Sequence, residues 1–261
     1  MALAKTWQML PGSRILDIGC GQGESSLVLA ELLGPGGHVT GIDTAPHDYG
    51  SPFTVGDAQS YIKKSIYGER IDFLQTDAAR LLSIGEQDAG QSHHLWYFED
   101  FESISSLFRV LSNASIHRVH VADYSYEASL PEQVPHVLAS RAQALVHASK
   151  KPRPTRKDEP NVRAAPHPAK VIEIASAAGF ILVKEDRITP GPHLRDGHWE
   201  STYVQMGVFR DSIVQEGLDA ESVAEVLALV EQVEQAYSQM MAQGCNIART
   251  MDVWCATFEL V

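Results

Sequence analysis

Apolar residues in this chain alternate between short contiguous blocks and stretches at helical spacing. Pro11-Gly12-Ser13 leads into Arg14-Ile15-Leu16-Asp17-Ile18, whose apolar run predicts a buried strand. A glycine-rich turn follows, Gly19-Cys20-Gly21-Gln22-Gly23. Leu27, Val28, Leu29, Leu32 and Leu33 then recur at helical spacing until Gly34-Pro35-Gly36-Gly37 stops the helix. His38 to Ile42 reads as a second strand ending at Asp43, Val55 to Ser65 as a helix, and Ile71 to Gln75 as a third strand ending at Thr76-Asp77.

Strand, turn, helix and strand in this order predict an α/β fold: a doubly wound, mostly parallel, Rossmann-like sheet with helices on both faces. Further on, Ser103 to Leu111 reads as helix, Arg118 to Ala122 as a central strand, and Pro131 to Ala148 as a long helix. Lys150 to Pro168 is rich in proline and charge and reads as a loop. A helix near Ala169 to Ala178 and a strand near Phe180 to Val183 come next. Two more helices are expected, the second spanning Ser222 to Met241, before a closing strand from Met251 to Leu260. The chain is expected to be one domain over 1–261, with helical cap elaborations around 125–168 and 190–249. One interval fits badly: no apolar run precedes His93, so the fourth strand is expected to be short or irregular, built around Leu95 to Phe98 or truncated.

The chemistry begins at the first turn. Glycines there let the backbone bend sharply and approach a ligand closely, and the next helix offers its unpaired N–H groups. Nicotinamide-binding turns follow G-x-G-x-x-G. Here the third glycine position is occupied by Glu24, whose carboxylate would repel a pyrophosphate. A ligand without phosphate suits this turn better.

Asp17-x-Gly19-x-Gly21-x-Gly23 resembles the first motif of the class I S-adenosylmethionine-dependent methyltransferase family, small-molecule type. The resemblance implies S-adenosyl-L-methionine as cofactor and methyl transfer to a small-molecule acceptor through N, O, S or C. It places Asp17, Gly19, Cys20, Gly21 and Gly23 against the methionine portion. Asp43, followed by Thr44, would bind both ribose hydroxyls, and Asp77, followed by Ala78, would lie near the adenine amino group. The segment after the fourth strand, His93-His94-Leu95-Trp96-Tyr97-Phe98, would wall the acceptor pocket, with His93 on the cofactor side and His94 as a base. The residues alone do not decide which histidine faces the pocket, and Trp96 and Phe98 also read as core.

Elsewhere the signals are weaker. Asp123-Tyr124 ends a central strand, where a pocket role competes with a hydrogen-bonded turn. His193, Asp196 and His198 lack the spacing of a metal site. The basic run Lys150, Lys151, Arg153, Arg156 and Lys157 reads as an exposed loop able to serve as a lid. Net charge is −12 over 261 residues, which disfavours a nucleic-acid partner. No apolar run is long enough to span a bilayer, and residues 1–10 hold no signal-peptide core. Cys20, Cys245 and Cys255 are few and odd in number, as in a reduced, cytoplasmic protein. Two rival readings use the same fold: a bound sulfonium serving isomerisation or cyclisation, and a non-enzymatic partner module.

Overall fold

A computed structural model describes residues 6–82, 90–93, 95–150 and 162–261, the backbone alone at 90–93. Seven strands form one sheet in the order β3-β2-β1-β4-β5-β7-β6. They are β1 (Arg14–Ile18), β2 (His38–Asp43), β3 (Ile71–Gln75), β4 (Gly90–His93), β5 (Arg118–Tyr124), β6 (Phe180–Ile188) and β7 (Val253–Leu260). β1 to β5 run parallel, and β7 is antiparallel to both β5 and β6. The carboxyl ends of the five parallel strands therefore share one edge, where open α/β sheets hold their ligands.

Alternation along the strands divides the core into two layers. Leu16, Ile18, Val119, Val121, Ala256 and Phe258 face α4 (Phe101–Asn113) and α6 (Pro168–Ala177). Ile15, Val39, Ala122 and Cys255 face α1 (Glu24–Leu33) and α2 (Val55–Lys63) on the other side. A third core belongs to α5 (Val134–Ser149), α7 (Asp196–Gln205), α8 (Gly207–Gln215) and α9 (Ala220–Ala242). Three helices, not two, thus precede the last strand, because Met206-Gly207 breaks the segment after α7.

A buried polar latch joins this helical unit to the sheet. Gln133 donates to the Thr250 carbonyl (2.8 Å) and to Asp252 Oδ1 (2.9 Å), which also accepts from Ser129 Oγ (2.9 Å). Gly197 at the start of α7 lies so close to residue 249 that a β-carbon there would sit 2.2 Å from the Arg249 carbonyl oxygen.

The fourth strand is short, as expected, and its position differs from expectation. It lies at Gly90–His93, and Leu95–Tyr97 forms a single 3₁₀ turn just after it. β4 pairs with Leu16–Ile18 of β1 on one side and with Val119–Ala122 of β5 on the other. Sheet pairing uses backbone groups, so a segment reading Gly-Gln-Ser-His can occupy the centre when its neighbours and the following Leu95 and Trp96 supply the apolar bulk. The preceding short helix α3 (Ala78–Leu82) carried no distinct signal in the sequence.

Candidate functional site

The turn after β1 is built by three left-handed glycines, with φ of 77° at Gly19, 50° at Gly21 and 94° at Gly23. Side chains rarely adopt such angles. Gly19 and Cys20 donate to the Ile42 carbonyl (2.8 and 3.1 Å), which ties the turn to the end of β2. At Gly23 a β-carbon would lie 2.6 Å from the Phe73 ring, so this glycine is needed for packing. At Gly21 a β-carbon would meet nothing within 4 Å, because that side of the turn is open. Gly23 starts α1 without a side-chain cap, leaving the first-turn N–H groups directed at the same edge.

Asp43, at the end of β2, completes the cradle. Its Oδ2 accepts from Gly21 N–H (2.8 Å) and its Oδ1 from Ala45 N–H (2.8 Å). Each carboxylate oxygen offers about two lone-pair sites, so one on each oxygen remains for a further donor. Gln59, buried in α2, holds the other side of Gly21 by donating to its carbonyl (2.8 Å). Gln22 donates to the Phe53 carbonyl (2.7 Å), fastening the turn to the loop after β2.

Asp17 is fully buried, and its Oδ2 accepts from Ser25 Oγ (2.7 Å) and Ser26 Oγ (2.6 Å). The carboxylate thereby fixes the first turn of α1 to β1. Cys20 lies beneath the turn; burial first, then the Asp17 and Asp43 carboxylates, push its thiol far above its ordinary range. Such surroundings favour the protonated thiol. Thr44 is exposed beside Asp43. Asp77, also exposed, accepts from Arg80 N–H (2.9 Å) and caps α3, whose first residue Ala78 is buried. Thr76 N–H donates to the Asp43 carbonyl (2.9 Å), bringing the ends of β2 and β3 together.

The structure thus brings Asp17, the Gly19–Gly23 turn, Asp43, Thr44, Asp77 and Ala78 to one edge of the sheet. His93 sits on that edge as the last residue of β4, its backbone paired with Ala122. His94 lies outside the described residues, as do Lys151, Arg153, Arg156 and Lys157. Gln59, Gln22, Ser25 and Ser26 hold no defined position in a motif that the sequence displays. The signal for Gln59 was a polar residue on the buried Val55-Gln59-Ile62 stripe of α2.

Beyond β4 the environment changes. Asp123 accepts from Trp96 N–H (3.1 Å) and Tyr124 N–H (2.7 Å), so it is the hydrogen-bonded turn that the sequence offered as one alternative. Burial pushes its carboxyl up to about 7, against the pull of the backbone amides of Tyr124, Trp96 and Leu95. Trp96 is core, packed 4.5 Å from the Tyr124 ring and 6.2 Å from His136. Tyr97 is partly exposed; burial of its hydroxyl, aided by the charges of Glu200 and Asp196, pushes it up to about 12. His198 Nδ1 meets the Tyr237 hydroxyl (3.2 Å), and no group of three metal-ligating side chains occurs among the described residues.

Residues 10–153 match the family model described as a methyltransferase domain. The methyltransferase phomM of Diaporthe leptostromiformis is 38% identical over 284 aligned residues, covering 94% of this chain and 73% of that one. Among solved structures, a cyclopropane-fatty-acyl-phospholipid synthase-like protein from Lactobacillus casei superposes with a TM-score of 0.81 at 27% identity, covering 99% of this chain and 88% of its own. The cyclopropane synthase MmaA2 from Mycobacterium tuberculosis shares the fold, at 14% identity and a TM-score of 0.56, over 99% of this chain and 82% of its own. On the matched domain and the identity to phomM, the chain belongs to the class I S-adenosylmethionine-dependent methyltransferase family, with S-adenosyl-L-methionine as its methyl donor.

Proposed function

We propose that this enzyme methylates a small molecule held between the carboxyl ends of β4 and β5 and the helical cap, with the cofactor on the Gly19–Gly23 turn. The observation that carries the cofactor placement is the Asp43 carboxylate. Two backbone amides orient it, and its remaining lone pairs match the two hydroxyls of a ribose. The open side of Gly21 leaves room for a ligand against the turn. Gly19, Cys20, Gly21 and Gly23 would contact the methionine portion through the backbone, and Asp17 would act on it by holding α1. Thr44 would flank the ribose, with Asp77 and Ala78 beside the adenine and His93 at the end of β4.

When bound, the cofactor supplies a sulfonium methyl that is already electrophilic. The protein then has to bind, align and desolvate. A base is needed only for an acceptor that arrives protonated, and His94 is the residue we assign to that task. We further assign the whole chain to one domain, with its cap in 125–168 and 190–249.

No described helix is long and apolar enough to cross a membrane. The three cysteines are free thiols, which supports a reducing, cytoplasmic setting. The net charge of −12 argues against a nucleic-acid acceptor.

The test is incubation of the enzyme with methyl-labelled S-adenosylmethionine and either the small-molecule or the macromolecular fraction of a cell extract. Label appearing in a low-mass product is the expected result. Label confined to protein or nucleic acid would overturn the small-molecule assignment.

A further inference from the structure

Buried polar side chains without hydrogen-bond partners are rare, because each costs about 1–3 kcal/mol. Several lie along α5 and in the segment after β5 that packs against it. Among the described residues, His136 Nε2, Tyr126 Oη, Ser140 Oγ and Gln143 Oε1 are all buried without a partner, while the Trp96 indole N–H turns to the Tyr97 hydroxyl. His136, Ser140 and Gln143 recur at i, i+4 and i+7 on one face of α5. The His136 ring packs edge-on against Tyr124 (5.1 Å) and Trp96 (6.2 Å), with Tyr126 in the same cluster.

The tautomer of His136 follows from its one partner. Met251 N–H donates to Nδ1 (2.9 Å), so Nδ1 carries the lone pair and the neutral ring carries its proton on Nε2. Burial drives the ring down to about 3, so it stays neutral at working pH. A neutral imidazole of this tautomer presents a donor, and it is not a base at its free nitrogen. Of the four unpartnered groups, the imidazole N–H can only donate, the two hydroxyls can donate, and one amide oxygen accepts. The cluster therefore calls for an oxygen. The charge on that oxygen is restricted as well: beyond burial, the Asp196 and Glu200 carboxylates act on the Tyr124 hydroxyl, and such a field opposes a further carboxylate.

We infer that His136 donates its Nε2–H to a neutral carbonyl oxygen of the methyl acceptor, in a subsite walled by Trp96, Tyr124 and Tyr126. The acceptor class is thus an amide, ester or ketone carrying the methylated atom nearby. This rests on the methyl-transfer reading above. His136 acts here as a binding and positioning group.

Nitrogen-15 NMR of the His136 ring in full-length protein saturated with S-adenosylhomocysteine tests it, with acetamide and acetate as probes. The ring is expected to show a protonated Nε2 and a bare Nδ1. Acetamide should shift the Nε2–H resonance and bind about tenfold more tightly than acetate. His136→Gln keeps an oxygen for Met251 N–H and an N–H for the ligand, and should retain acetamide binding. His136→Phe should weaken it about tenfold. A protonated Nδ1, tighter binding of acetate, or no response to either probe would each overturn the inference, and the wild-type spectra decide this even if a variant does not fold. Failure of S-adenosylhomocysteine to bind would instead strike the cofactor assignment, and the same titration without it would still decide the subsite.

Discussion

The two halves of the sheet's carboxyl edge are built from different kinds of polar contact. Around the Gly19–Gly23 turn the groups that shape the turn hold one another: Gly21 is held by Asp43 and Gln59, and Asp17 Oδ2 accepts from Ser25 and Ser26. Across β4, His136 Nε2 and the Tyr126 hydroxyl, packed with Trp96 and Tyr124, are buried without a partner. A preorganised cradle needs only small additions from its ligand, and its form follows from backbone geometry. An unmatched cluster depends on what reaches it.

This difference can be broken or sharpened by experiment, and the largest effect is expected from pH. Burial holds His120 down to about 4 and His136 to about 3, both from 6.5, so their contributions are fully present above 6.5. As pH falls through that range the unfolded chain binds protons that the folded chain refuses, and stability drops. Asp123 opposes this: raised from 3.8 to about 7, it favours the folded state most below 3.8 and loses that contribution as pH rises towards 7. Between pH 6.5 and 4 two histidines outweigh one carboxyl, so stability should fall by roughly 1.4 kcal/mol per pH unit at most. Asp123→Asn should about double that slope. Proton uptake on unfolding, measured by denaturant titration across pH, checks both. An unchanged slope in the variant would mean that Asp123 is charged when folded.

A smaller effect is expected at Gly23. Alanine there takes on a left-handed conformation and a contact with Phe73. Together these should cost about 2 kcal/mol and lower Tm by about 5 °C. A variant that melts with the wild type would show that the turn relaxes freely, contrary to a preorganised cradle.

The smallest effect belongs to Gln59. Gln59→Ala removes one neutral hydrogen bond to Gly21, worth about 1 kcal/mol, and should weaken S-adenosylhomocysteine about fivefold. Calorimetry at constant pH measures this. No change would place the rigidity of the turn in Asp43 and the glycines alone.

The same contrast explains how far the residue pattern could be read. β1, β2 and β3 are apolar runs ending in a glycine turn or an acid, so their positions and the cradle at Asp17, Gly21, Asp43 and Asp77 were visible at once. β4 is short, as the sequence implies, and lies before Leu95–Phe98 because its stability comes from backbone pairing with β1 and β5, which leaves no hydrophobic trace. β6 extends to Ile188, well beyond Val183, because antiparallel pairing with β7 continues through a polar stretch and past a bulge near Leu182–Lys184. His136 escaped notice for another reason. Its significance depends on Met251, 115 positions away in the chain, whose N–H fixes the tautomer.

Calorimetric titration of S-adenosylhomocysteine into the wild type and into Asp43→Ala addresses the cradle itself. Loss of two charge-assisted hydrogen bonds to ribose hydroxyls should weaken binding about a hundredfold with the fold intact. Equal affinity in the two proteins would contradict the placement of the cofactor against Asp43 and the glycine turn.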